Sequence, residues 1–587
     1  MKKVIIFILV IVILLSTLAA CASNNEDDAS DISDTQSSIG NVNASQSNTN
    51  GPGLTDTPSV DTRPIHSSTV EAPDNTEAND FDEPIDTPID DEQDEPVDPS
   101  IESEEEDAPV TPPATSPSST EARPETSEQK VEHLSPSINL GGKEINIVSR
   151  NHPWNIDEIK VEKQTADPIN DAVFKRTAAV EKNLNITIKS TLIPCATNNG
   201  TTENFVVIEE LKKTNGPDCP YHLIANNAYT SFANIAEGYF RNLRDVSTLN
   251  LENSYWSTHF NPEASIGNQQ YVATGAASLT LRRFIFVTFF NKDLATYYNL
   301  ENLYDVVKEG RWTLDYQADI ISNMWTEEDG ESGKTEGDSY GFITDDGLCV
   351  DVYVSACDLN ILIKDSDDFY VLASEKEKAD KMMSKINNLY WKSGATYVFA
   401  RQGDYSQFDK MREKFASGET TMITERLLAA ESEILRNMES PYGILPIPKL
   451  DDSQKQYYSH AHDQFTVFGI VNSATTDSMV DDLGTVLECI AIESQNIVTP
   501  AYYEVALKGK YSKDSESWEM LDMIVENLKI NGGVLYTTKL DNLSQKFREA
   551  ATAKKNDCSF IFNAIRIQIL QRALNAMQQE IKNFQNS

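Results

Sequence analysis

The chain has 587 residues, 92 of them acidic and 49 basic, with a formal charge of −43 at neutral pH. The charge is uneven: residues 22–135 hold 29 Asp and Glu against three Lys and Arg, with a single aromatic, Phe81, whereas residues 136–587 hold 63 acids, 44 bases and nearly all the other aromatics. Neither segment offers the basic face that phosphate binding needs, which argues against a nucleic-acid partner, and the first 135 residues are too polar to join a packed core.

At the N-terminus, Lys2 and Lys3 precede twelve apolar residues, Val4 to Leu15. A charged region before a short apolar one reads as a secretory signal peptide over 1–20. Twelve residues are too few to span a bilayer as a helix. Leu18-Ala19-Ala20-Cys21 resembles the bacterial lipobox. That resemblance implies a lipoprotein whose Cys21 carries diacylglyceryl and palmitate-type chains, anchoring it to the extracellular face of the cell membrane. Residues 21–135 then comprise the lipidated Cys and an acidic linker rich in Ser, Thr and Pro. Its composition predicts a disordered tether spanning roughly 55–65 Å.

The folded part, 136–587, begins with alternating strands and helices. Glu144 to Val148 alternates as a strand, and Asp167-Pro168 starts a helix with an N-cap and a proline at its first position. Val173, Thr177, Val180 and Leu184 share one face of that helix. A strand follows at 185–188, a helix at about 203–213 and a strand at 221–225. This β-α-β-α-β order predicts a parallel sheet covered by helices, with ligand at the carboxyl ends of its strands. Gly141 and Gly142 precede the first strand and no Gly-rich phosphate loop follows it, so no nucleotide cofactor is expected. Further on stand the strand-like run Phe284 to Phe290 and then Asn291-Lys292-Asp293-Leu294. Gly310-Arg311-Trp312-Thr313 follows, with Thr313 as N-cap and Asp315 in the first turn. Phe415-Ala416-Ser417-Gly418 leads to Met422-Ile423, and Tyr442-Gly443-Ile444-Leu445-Pro446-Ile447-Pro448 comes after it.

In this order, and behind a lipobox, these motifs are similar to the extracellular solute-binding proteins of ABC importers, the family of maltose- and oligosaccharide-binding proteins. The resemblance covers roughly 140–540. It implies an α/β, two-lobed periplasmic-binding-protein-like fold with the ligand cleft between the lobes. It also implies a carbohydrate solute as the favoured class, the transmembrane subunits of an ABC permease as partner, and neither catalysis nor a cofactor. The first lobe is expected at about 140–285 plus 463–500. The second is expected at about 290–455 plus 500–587, with crossings near 284–291 and 455–465.

Sugars are held by flat aromatic faces together with polar groups for their hydroxyls. The expected ligand-binding residues are Trp154, Tyr255, Trp256, Trp391, Glu425, Arg426 and Asp463. Trp154 follows the first strand. Tyr255-Trp256 lies in a polar loop, where the alternative is a packed corner, and Trp391 lies near a helix end. The resemblance places Glu425 and Arg426 where the family contacts ligand, although the family's aromatic is absent here. Asp463 ends His460-Ala461-His462-Asp463, which reads as a hinge-edge loop rather than a metal site. Trp312 is expected to staple its helix, and Arg282-Arg283 to form a solvated face. The acidic stretch 326–338 departs from calcium-loop spacing and reads as a hairpin.

Six further cysteines, at 195, 219, 349, 357, 489 and 558, form no Cys-x-x-Cys pair, so no metal site is expected. Disulfides and free thiols both remain open. Two alternative functions share the sequence: a surface receptor presenting solute to a sensor, and a tethered glycan hydrolase. The anchor is directly testable. Cys21→Ala should abolish metabolic fatty-acid labelling and release the protein to the medium or leave its signal uncleaved; unchanged labelling would refute lipidation.

Overall fold

The Asp167 carboxylate accepts the backbone N–H groups of Ile169 (3.0 Å) and Asn170 (2.9 Å), and the helix Pro168–Leu184 begins there and ends at Asn185 in the left-handed region. Its buried stripe, Ile169, Val173, Val180 and Leu184, covers a sheet, as the periodicity predicts. The computed structural model describes residues 131–134, 137–195, 204–402, 405–473, 476–503 and 515–585. The signal segment, Cys21 and the linker to residue 130 lie outside the described residues. Residues 131–134, assigned to the linker by composition, are held in place: Val131 exchanges hydrogen bonds with the Asn496 side chain, and Val131 and Leu134 pack on the core. Among the described residues no helix is long and apolar enough to cross a membrane.

The strands, in chain order, are β1 (Lys143–Asn151), β2 (Ile186–Pro194), β3 (Leu223–Asn227), β4 (Phe286–Asn291), β5 (Tyr340–Asp345), β6 (Leu362–Lys364), β7 (Tyr370–Leu372), β8 (Thr396–Phe399), β9 (Thr420–Arg426), β10 (Tyr442–Leu445) and β11 (Thr466–Ile470). They form two main sheets, β11-β3-β1-β2 and β10-β4-β9-β5-β8, and a β6–β7 hairpin. In the first sheet β1 runs parallel to β2 and β3, and β11 returns antiparallel to β3. In the second, β4 is antiparallel to β9 and β10, and β5 is parallel to β8 and β9. The protein is thus a two-lobed α/β fold, one sheet to each lobe.

The lobes are joined where Phe284–Phe286 meets His460–His462. Ile285 bridges Ala461 antiparallel, Phe286 N–H donates to His460 O (2.8 Å) and His462 N–H donates to Phe284 O (3.0 Å). Both connections are rooted in the first lobe on one carboxylate. Glu158, buried, accepts from Thr280 N–H (2.9 Å), Thr280 Oγ1 (3.0 Å) and Ser278 Oγ (3.3 Å) before the first crossing, and from Thr466 Oγ1 after the second. The chain passes over a third time after the helix Asp477–Glu493 of the first lobe, reaching the helix Ser515–Glu526 on β10 of the second.

A second attachment lies at the β6–β7 hairpin. Its Asp368 accepts from Ser265 Oγ (3.0 Å), Asn268 N–H (2.9 Å) and, at its carbonyl, Gly267 N–H (3.0 Å), all in the first lobe. Tyr370 O–H donates to Glu263 Oε2 (2.9 Å), and the Tyr536 ring packs between Tyr370 (5.7 Å) and Phe232 (5.0 Å). The last helix, Ala564–Gln585, lies along this hairpin and carries Phe584 to Tyr271 of the first lobe (5.6 Å between rings).

Several local expectations can be placed. Thr313 Oγ1 caps its helix through Tyr316 N–H, and buried Trp312 donates from Nε1 to Pro446 O (2.8 Å). The 326–338 stretch closes as a hairpin on buried Asp338, which accepts from Trp325 Nε1 (3.0 Å), Glu328 N–H and Thr335 N–H. Among the described residues the six cysteines form no disulfide. Arg282-Arg283 is not a solvated face: Arg283 forms a two-bond ion pair with Glu431 (2.9 and 2.7 Å), 148 residues away.

Tyr255 and Trp256 also lie elsewhere than expected. Trp256 is 1% exposed in the first lobe's core, and its Nε1 donates to Glu488 Oε2 (2.9 Å) while Tyr255 O–H donates to Glu488 Oε1. The backbone of Gly275 lies against the pair so closely that a Cβ there would meet Tyr255 O at 2.3 Å. A polar loop exposes neither ring because a helix carboxylate satisfies both polar atoms inside the core. Trp256→Ala should therefore lower unfolding stability by about 3–5 kcal/mol, the cost of emptying a large aromatic site. Denaturant melts check this; a variant melting like wild type would return Trp256 to the surface.

Candidate functional site

The carboxyl end of β1 delivers Arg150, His152 and Trp154 toward the second lobe. There the Trp154 ring meets groups from both lobes and from the crossing: His152 (4.7 Å between centroids), Phe284 (5.3 Å), Tyr405 (5.7 Å) and His462 (6.0 Å). From the end of β9, the Arg426 guanidinium lies 5.1 Å from the Trp154 ring and 4.6 Å from Phe408. These cation–ring contacts bind a first-lobe strand end to a second-lobe strand end.

Arg426 Nε (2.9 Å) and N–H (2.7 Å) donate to Glu425 Oε1, and Arg412 donates to Glu425 Oε2 (2.9 and 3.2 Å). Burial pushes the Glu425 carboxyl up, but Arg426 and Arg412 outweigh it and hold it below its ordinary range. Asp463 shows the reverse balance. Burial raises it to about 6, against the pull of Arg548. Arg548 pairs bidentately with Asp351. Burial lowers His460 and His152 to about 4, and His462 well below its usual value. All three imidazoles are neutral at pH 7.

Several buried polar atoms here find no hydrogen-bond partner among the described residues: Arg150 Nε and Nη2, both side-chain atoms of Asn155, Arg426 Nη1 and His462 Nδ1. Elsewhere such atoms cost free energy to bury. Those of Arg426 and His462 lie beside the Trp154 ring, where a polar ligand could satisfy them.

The structure thus brings Trp154, Glu425, Arg426 and Asp463 to the region between the sheets. It places Tyr255 and Trp256 in the first lobe's core, away from it. Trp391 packs on the helix Leu543–Thr552, donating from Nε1 to Ala551 O (3.0 Å), with Lys554 Nζ 4.4 Å over its ring. Arg150, Tyr405, Arg412 and His462 belong to the site, and the sequence reading passed over them as site residues. Two of them carried a signal: Arg150, a charge closing the apolar run of a strand at its carboxyl end, and His462, inside the His460–Asp463 motif.

No protein-family model and no curated protein sequence matches the chain. Among solved structures, its neighbours include sugar-binding substrate-binding proteins of ABC transporters. An ABC substrate-binding protein from Listeria monocytogenes in complex with cycloalternan is 14% identical over 75% of this chain and 100% of that one (TM-score 0.43). The cyclic alpha-maltosyl-1,6-maltose binding protein from Arthrobacter globiformis is 12% identical over 76% and 99% (TM-score 0.47). The galacto-N-biose/lacto-N-biose I-binding protein from Bifidobacterium longum, in complex with lacto-N-biose, is 10% identical over 76% and 98% (TM-score 0.46).

The buried histidines give the site a pH dependence. As pH falls from about 6.5 toward about 4, the unfolded chain takes up protons that buried His460 refuses, so stability falls. Asp463 works the other way between about 4 and 6, where the native state keeps a proton that the unfolded chain has lost. His460→Gln should leave the melting point at pH 7 nearly unchanged and recover about 2 kcal/mol at pH 5. Paired melts of wild type and variant across that range check it; parallel curves would mean that His460 titrates normally.

Proposed function

We propose that this protein is a membrane-anchored extracellular solute receptor that closes two lobes around a carbohydrate and delivers it to an ABC permease. The observation that carries the reading is the pair of unpartnered buried nitrogens on Arg426 and His462 beside the Trp154 ring, with those of Arg150 near Tyr405 and Asp463. A ring with polar donors around it suits a saccharide, whose C–H faces stack and whose hydroxyls pair. The crossing at Phe284–Phe286 and His460–His462 is short enough to serve as a hinge, since a few backbone torsions there reorient whole lobes. Closure is then driven by contacts that ligand makes with both lobes at once. Anchoring through Cys21 and the acidic linker would hold the receptor beside its permease.

Binding suits this site better than hydrolysis. A glycosidase needs a carboxylic acid that keeps its proton beside a second carboxylate. Glu425 is instead committed, ionised, to Arg426 and Arg412, and Asp463, whose carboxyl burial raises, faces an Asp351 already paired with Arg548.

A ligand that binds only the folded state raises its melting temperature. Screening the intact protein against oligosaccharide, amino-acid and peptide panels should therefore give shifts with oligosaccharides only. Trp154→Ala should weaken the best of these by 10- to 100-fold, about 1.4–2.7 kcal/mol, with an intact melt. Shifts from peptides alone, or full affinity without Trp154, would overturn the proposal.

A further inference from the structure

Arg150 is 1% exposed, and only one of its nitrogens is engaged: Nη1 donates to Gln464 Oε1 (2.9 Å) and Asn204 Oδ1 (3.2 Å). Its Nε and Nη2 find no partner among the described residues. Those two nitrogens form one edge of the guanidinium, whose parallel N–H groups match the two oxygens of a carboxylate. A buried cation with this edge unpaired is costly, since no carboxylate hydrogen-bonded to it offsets its desolvation. Burial accordingly lowers the Arg150 pKa to about 10.

The neighbouring carboxylates do not fill the edge. Glu158 and Asp463 act on Arg150 through space, but the Glu158 oxygens accept from Ser278, Thr280 and Thr466. Glu425 is shared by two arginines, and Asp351 pairs with Arg548. Arg426 Nη1, beside Trp154, also finds no partner among the described residues. A neutral hydroxyl would satisfy one N–H at a time and leave the charge unmatched.

We propose that the solute is an acidic saccharide, with a uronate carboxylate received side-on by Arg150 Nε and Nη2 while its ring lies against the Trp154 cluster. This rests on the carbohydrate-receptor reading and narrows it to a charge class. The test titrates the full chain by calorimetry with digalacturonate, its neutral counterpart galactobiose, and glutarate, a carboxylate without a sugar ring.

Digalacturonate should bind at least tenfold more tightly than galactobiose, and Arg150→Gln should erase the difference. In the ligand-free protein, Arg150→Met should melt at or above the wild-type temperature, because it removes an unpaired buried charge. Equal binding of both disaccharides, insensitive to Arg150→Gln, overturns the acidic-saccharide proposal and leaves the receptor reading standing. Binding of glutarate alone upholds the carboxylate site and overturns the sugar reading. No binding by any of the three, or a ligand-free Arg150→Met that melts several degrees lower, overturns the proposal by making Arg150 a structural brace.

Discussion

A single buried carboxylate, Glu158, fixes where the two lobes can part company. It sits just beyond β1 and takes hydrogen bonds from Ser278 and Thr280, which lead into the first crossing, and from Thr466, which leads out of the second. With its acceptors engaged, the first-lobe ends of both crossings behave as one rigid block. Torsional freedom is therefore confined to the few residues between that block and the second sheet, where Phe284–Phe286 and His460–His462 pair. Trp154 lies close to this pairing, so small rotations there displace the far rim of the lobes much more than the ring itself.

The arrangement of charge around Trp154 follows a consistent rule. On the second lobe, cations come with a carboxylate already in place: Arg426 and Arg412 on Glu425, Arg548 on Asp351. On the first lobe Arg150 has only amide oxygens. Imidazoles at 152, 460 and 462 are kept neutral by burial and by the arginines around them. At neutral pH the region thus holds charges fixed by their partners, with few groups able to change protonation state.

Much of the fold was readable from the sequence because its signals are local. Asp167-Pro168 and Thr313 announce helix starts through bonds two or three residues away, and the first three strands alternate with helices in plain order. The site was less legible because its partners are distant. Trp256 in a polar loop looks exposed until Glu488, 232 residues on, reaches its indole nitrogen. Arg283 looks solvated until Glu431 is found beside it. The place of Trp154 between the lobes follows from its position after a strand, whereas Tyr405 and Arg412 reach the same region only through the tertiary packing of the second lobe against the first.

The β6–β7 hairpin has a geometric consequence. Asp368 fastens to the loop 265–268 and Tyr370 to Glu263, so the lobes are attached at the hairpin as well as at the crossing strands. Two separated attachments leave a pair of rigid bodies only one rotation that strains neither: a swing about the line through both, like a gate on two pins. Twisting and sliding of one lobe on the other would strain one attachment or the other. Any motion of a different kind must first break the Asp368 contacts.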